Sequence, residues 1–191
     1  MTGGAADGPG VELVNLQDEY VLRRAALAAF VRDLRRRLRI ESREFNICFM
    51  DNNEIRRLNL AYRGKDEPTD VLSFPWRETD GPLLPGQRSP SRLRHRDGIT
   101  NFLGDVVISV ETAGRNARDE GHSTLNEIRW LILHGVLHLL GYDHEHDSGE
   151  MIALELALRE QLGVAGGSQG KKQVKSQNAK PKRQSRVRLN F

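Results

Sequence analysis

The chain has 191 residues, 38% of them hydrophobic, and a single cysteine, Cys48. That is enough for one ordinary domain with its own core and short for two; no apolar run is long enough to span a membrane, no leader-like segment opens the chain, and an internal disulfide is excluded, so a cytoplasmic protein is expected. The net charge of +3 is uneven: residues 167 to 191 hold eight basic side chains and no acidic one, which leaves the rest mildly acidic and makes the tail either a sequence-independent phosphate-binding arm or a solubilising segment.

In chain order, residues 1–10 are small and Gly-rich and are expected to be disordered. Val11 to Leu16 predicts a short strand. Glu19 to Leu38 sets Leu22, Ala26, Phe30, Leu34 and Leu38 near helical period, which predicts an amphipathic helix. Its other face carries Arg23, Arg32, Arg35, Arg36 and Arg39, read as a solvated face, the alternative being a patch turned to RNA. Phe45 to Met50 predicts a buried strand, and Asp51 caps a helix through Ile55, Leu58 and Leu60. Val71 to Phe74, set between Pro68 and Pro75, predicts a short edge strand. Residues 78–100 mix Gly, Pro, Ser and Arg without period and predict a long flexible insertion.

Asp105 to Val110 predicts a strand, followed by a polar helix from Glu111 to about Glu120. Thr124 and Glu127 have capping-box spacing ahead of a segment, Leu125 to Leu140, that is apolar nearly all round and therefore predicts a buried helix. Gly141 is a left-handed stop, and a last helix, capped near Asp147, runs through Met151, Ile152, Leu154 and Leu158 to Gly163. About four strands and five helices predict an α+β fold, a mixed sheet covered by helices, in one domain over residues 11–163 followed by a disordered basic tail over 164–191.

The buried helix carries His134-Gly-Val-Leu-His138-Leu-Leu-Gly141-Tyr-Asp143-His144. Histidines four apart share one helix face and reach one ion. Were the helix to continue, His144 would lie about 9 Å beyond His138 along the axis; the glycine stop lets the chain fold back and return it. Three histidines in eleven residues, at ligand spacing with a glycine break, are poorly explained as core packing. Zinc, one per chain, is the first choice for neutral imidazoles, with copper, nickel or manganese open on ligand type. Three protein ligands and an open fourth position make a catalytic pattern. His146, Asp143 or Cys48 would be needed to close it; Asp143 is expected instead to orient a ligand imidazole and His146 to begin the last helix. His95 and His122 are expected at the surface.

The spacing is that of the metzincin proteases with one departure: Gly135 stands where those enzymes place the glutamate base, which disfavours peptide hydrolysis by that route. A phosphodiester needs such a base less, because its own oxygens can meet a metal and a cationic side chain can balance the charge on phosphorus.

The stretch from His134 to His144 resembles the signature of the YbeY family. Two further blocks agree, Asn59-Leu-Ala-Tyr62-Arg63-Gly-Lys-Asp-Glu-Pro68-Thr69-Asp70-Val-Leu-Ser73-Phe74 and Leu103-Gly104-Asp105-Val-Val-Ile108, over about Val11 to Leu162. The resemblance implies a cytoplasmic, single-strand-specific endoribonuclease with a three-histidine zinc site, acting in 16S rRNA 3′-end maturation and ribosome quality control. Single-stranded RNA, the ribosome and small-subunit proteins are then its partners. It also implies an active-site arginine at Arg63, whose planar fork suits a phosphate and which Gly64 and Pro68 place in a loop; by itself this residue reads as a surface ion pair with its acidic neighbours. Departures are the insertion around Pro82 to Arg96 and the basic tail. Two other classes stay open: a metalloprotease with its base elsewhere, and a non-catalytic ribosome-binding factor with a structural zinc.

Overall fold

In the computed structural model residues 10–76, 101–164 and the backbone of 177–178 are described. The elements run β1 (Val11–Asn15), α1 (Arg24–Leu38), β2 (Glu44–Met50), α2 (Asn52–Arg63), β3 (Val71–Pro75), β4 (Phe102–Ser109), α3 (Val110–Glu120), α4 (Thr124–Leu139), α5 (Glu150–Gln161) and β5 (Gln177–Asn178). The sheet order is β1-β2-β4-β3-β5. β1, β2 and β4 are parallel, β3 runs antiparallel to β4, and the two-residue β5 lies parallel beside β3. The α+β expectation of a mixed sheet covered by five helices holds, and β3 lies at the edge of the four strands it named. The expectations for residues 1–9, for the insertion and for most of the tail fall outside the described residues.

Side chains alternate across β4 from Gly104 onward, past a register shift at Leu103, and every one of its residues is buried, as a strand covered on both faces requires. Leu103, Val106 and Ile108 join the larger core, built with α1, α4 and residues of α3 and α5. Val107 faces the other way and joins Cys48, Met50, Ile55 and Leu72 in a smaller core under α2. Burial, then the charges of Asp105 and Glu12, push the Cys48 thiol up, which keeps it neutral and packed.

Four local expectations are corrected. α1 begins at Arg24 rather than Glu19, because Gln17 closes a turn first: its amide bonds Asn15 Oδ1 (2.8 Å) and the Tyr20 carbonyl (3.0 Å) and accepts from the Tyr20 N–H (2.8 Å). Arg35 is buried at 7% exposure rather than solvated, with its guanidinium donating to the carbonyls of Glu41 and Arg43 and so holding the turn into β2. Burial lowers its pKa while Glu41 and Glu44 support its charge. The α4 cap is Ser123, which accepts from the Asn126 N–H at 3.2 Å; the cap lies one residue before the expected Thr124, and Glu127 turns into the interior instead of back to the cap. Arg63 ends α2, capped by Gly64, instead of lying in a loop.

Candidate metal centre

α4 lies against β3 and β4, and from Ile128 to Leu139 nearly every residue is buried. The close approach depends on Gly135. A Cβ there would stand 2.5 and 3.1 Å from the two Val106 methyls and 3.2 Å from Ser73 Oγ, whose hydroxyl donates to the Gly135 carbonyl at 3.2 Å. A side chain at the position that carries a glutamate in the metzincin pattern would thus have to displace Val106 from the sheet side of the helix. This removes the local route to a peptidase base for a steric reason.

His134 and His138 are 3% and 2% exposed. After α4 the Gly141 N–H bonds the His138 carbonyl and the Tyr142 N–H bonds the Leu137 carbonyl, with Gly141 at φ 92°, the left-handed closure the sequence predicts. The chain then folds back and brings His144 to the other two. Ring centroids are 4.7 Å (His134–His138), 5.5 Å (His134–His144) and 5.4 Å (His138–His144) apart. One nitrogen from each ring lies within 4.8 Å of the others.

The far sides of the rings decide what the near sides can bind. His134 Nδ1–H donates to Glu155 Oε2 at 2.8 Å and His138 Nδ1–H donates to the Tyr142 carbonyl at 2.9 Å. Both protons being placed there, the two Nε2 lone pairs face each other at 3.1 Å. His144 Nε2 is buried with no hydrogen-bond partner. Two lone pairs facing each other beside a third unpartnered ring nitrogen, all buried, form a group that could hold a cation, which would relieve their repulsion and supply the partner they lack. Burial, then the neighbouring His134 and His144, push His138 down to about 3, so it is neutral, as a metal ligand must be. The donor set therefore fits a divalent ion such as zinc, with imidazole oriented from behind in two cases out of three.

Glu155 is the residue sequence reasoning missed. It lies on α5, 8% exposed, and accepts from His134 and from Trp130 Nε1–H. Burial opposes its charge, yet the bonds from His134 and Trp130 and the charge of Arg159 hold it below the usual carboxylate range. Arg159 itself stacks on Trp130, 4.2 Å from the ring centroid. A signal existed: Met151, Glu155 and Leu158 share one helical stripe, and a carboxylate on a buried stripe needs partners. Asp143, expected behind a ligand ring, instead accepts from the Glu145 N–H (3.1 Å) and pairs with the exposed His146 (2.7 Å). Neither His146 nor Cys48 belongs to the three-histidine cluster.

Arg63 Nη1 is buried without a hydrogen-bond partner. Burial lowers the pKa of this guanidinium, while the charge of Glu145, next to His144 in the chain, supports it. Glu145 adjoins His144 in the chain, so the unpartnered Nη1 of Arg63 belongs to a side chain within electrostatic reach of the segment that carries the third histidine. Thr69 and Asp70 form the local polar support of β3: Asp70 accepts from the Val71 N–H at 2.8 Å and from Thr69 Oγ1 at 3.2 Å.

Comparison with known proteins gives the family. A family model described as Endoribonuclease YbeY matches residues 14–163. The proteins named endoribonuclease YbeY from Nautilia profundicola and Moorella thermoacetica are 41% and 42% identical over 125 and 123 residues, covering 65% and 64% of this chain and 76% and 72% of theirs. That from Aquifex aeolicus is 47% identical over 107 residues, 56% of this chain and 60% of its own. The solution structure of TM1509 from Thermotoga maritima has the same fold, with TM-score 0.51 at 22% identity, covering 85% of this chain and 99% of that one. The match runs from the first strand past the last helix of the domain, and this chain belongs to the YbeY endoribonuclease family.

Proposed function

We propose that the protein is a zinc-dependent endoribonuclease that cuts single-stranded RNA and acts in the cytoplasm on the 3′ end of 16S rRNA and in ribosome quality control. The observation that carries this reading is the convergence of three imidazole rings on one point, with an Arg63 Nη1 that has no hydrogen-bond partner and lies within electrostatic reach of Glu145, the neighbour of His144 in the chain. His134, His138 and His144 hold the ion, which when bound supplies Lewis-acid polarisation at the scissile phosphate. Glu155 and the Tyr142 carbonyl fix the tautomers of His134 and His138, so that Nε2 of each is free to ligate. Arg63 holds non-bridging phosphate oxygens in a two-pronged grip and balances the charge that grows on them. Gly135 contributes by having no side chain, which seats α4 on the sheet and leaves the phosphate, rather than a protein carboxylate, beside the metal. Ribosomal RNA and small-subunit proteins are the proposed partners, and the basic residues 171 to 188 add a salt-sensitive hold on the RNA backbone.

The relatives' name and the absent glutamate both favour this over a peptidase. Among the described residues no helix is long and apolar enough to cross a membrane. The test is incubation of zinc-loaded parent and His138→Ala protein with end-labelled single-stranded and duplex RNA, beside a casein substrate. The parent is expected to cut the single strand alone and the variant nothing; cleavage of casein, or equal cleavage of RNA by both proteins, refutes the proposal.

A further inference from the structure

A second set of donors gathers where α3 passes into α4. Glu120 is the last residue of α3, His122 lies in the turn and Glu127 sits in the first turn of α4. The sequence places His122 at the surface, but its side chain is only 10% exposed. His122 Nε2 is 3.2 Å from Glu127 Oε2 and 3.6 Å from Glu120 Oε2, and all three atoms lie within 4.8 Å of one another. We propose that His122, Glu120 and Glu127 form a second divalent-metal site, for an ion of the zinc class, that staples the end of α3 to the start of α4.

Three observations carry it. Glu127 is 1% exposed, and its Oε2 is buried with no hydrogen-bond partner, although His122 Nε2 is near: the two do not meet in donor geometry. The pair at 3.2 Å is therefore not closed by a hydrogen bond between ring and carboxylate, and Oε2 is left needing another partner. On its far side His122 Nδ1 lies 3.3 Å from the Ser123 carbonyl, which as an acceptor draws the ring proton there and leaves the Nε2 lone pair facing the carboxylates. This is the same device that sets the tautomers of His134 and His138. Finally, burial, then the charges of Glu120 and Asp70, push the Glu127 carboxyl up to about 7, with a side-chain hydrogen bond from Asn116 and the charge of Arg159 as partial support. One imidazole and two carboxylates are ligands that zinc accepts, with water completing the shell.

The inference does not depend on the ribonuclease reading, since it concerns a different turn and is read by metal content and melting. The experiment uses the full chain, the His134→Ala/His138→Ala/His144→Ala variant, and each of these with His122→Asn or Glu120→Gln added, with zinc binding followed by calorimetric titration. The parent is expected to bind two equivalents, the triple variant one, and the triple variant with His122→Asn none. Zinc should raise the melting temperature of the triple variant and not of its His122→Asn derivative. If the triple variant does not fold, the parent against His122→Asn alone decides, two equivalents against one. A folded triple variant that takes up no zinc, or His122→Asn and Glu120→Gln proteins that bind as many equivalents as their parents, overturns the proposal.

Discussion

Replacing Gly135 by alanine sets two effects of known sign against each other. In a helix interior alanine is favoured over glycine by ~1 kcal/mol, so on propensity alone Gly135→Ala would stabilise the protein. Its Cβ, however, would lie 2.5 Å from a Val106 methyl, well inside the roughly 3.5–4.0 Å at which carbons attract. Val106 is fully buried on a central strand and β-branched, so it has little freedom to turn away. Overpacking of this kind costs about 1–3 kcal/mol, and a contact this short belongs at the upper end. The net expectation is a loss of about 1–2 kcal/mol, which for a domain of this size lowers the melting temperature by roughly 2–8 °C. Thermal melting by circular dichroism reads it directly. A double-mutant cycle with Val106→Ala adds the mechanism: without the two methyls only the 3.2 Å approach to Ser73 Oγ remains, and Gly135→Ala should then cost clearly less than it does in the parent. A Gly135→Ala protein that melts at or above the parent, or effects that simply add in the cycle, would refute the packing account of this glycine.

Glu155→Gln removes the charge that holds the His134 Nδ1–H while preserving shape; zinc affinity, read by competition with a chelator, should fall roughly 10- to 100-fold with the fold retained. Unchanged affinity would show that the carboxylate does not prepare the ligand. Arg63→Ala should lower single-turnover RNA cleavage by roughly 10²- to 10³-fold, with Arg63→Lys retaining part of the rate because charge remains without the fork. Both variants should keep zinc and melt close to the parent, since the guanidinium Nη1 makes no hydrogen bond within the protein. Cleavage at the parent rate by Arg63→Ala would reduce this side chain to a surface charge.

The convergence of the three histidines was legible because helix geometry and a glycine stop are local rules. Two positions on one face and one residue past a left-handed turn need no tertiary information. Gly135 was legible as a missing base but not as a packing requirement, since Val106 and Ser73 reach it from distant parts of the chain. Arg35 looked solvated by helical phase; its acceptors are carbonyls of the turn into β2, which periodicity does not encode. Glu127 was misread because a local explanation was available: with Thr124 it has capping-box spacing, and the actual cap at Ser123 frees it to meet His122 inside. Glu155 lay hidden in an apolar stripe for the converse reason, its partners Trp130 and His134 belonging to another helix.

The most direct test of the central claim, that His134, His138 and His144 hold the ion on which RNA cleavage depends, is cleavage of labelled single-stranded RNA by protein stripped with a chelator and then titrated with zinc. Activity should vanish on stripping and return in full at one equivalent in the His122→Asn background, where the second proposed site is removed. His138→Ala in that background should neither bind the equivalent nor recover. Cleavage that survives complete removal of metal, or zinc held stoichiometrically by that His138→Ala protein, would contradict the account.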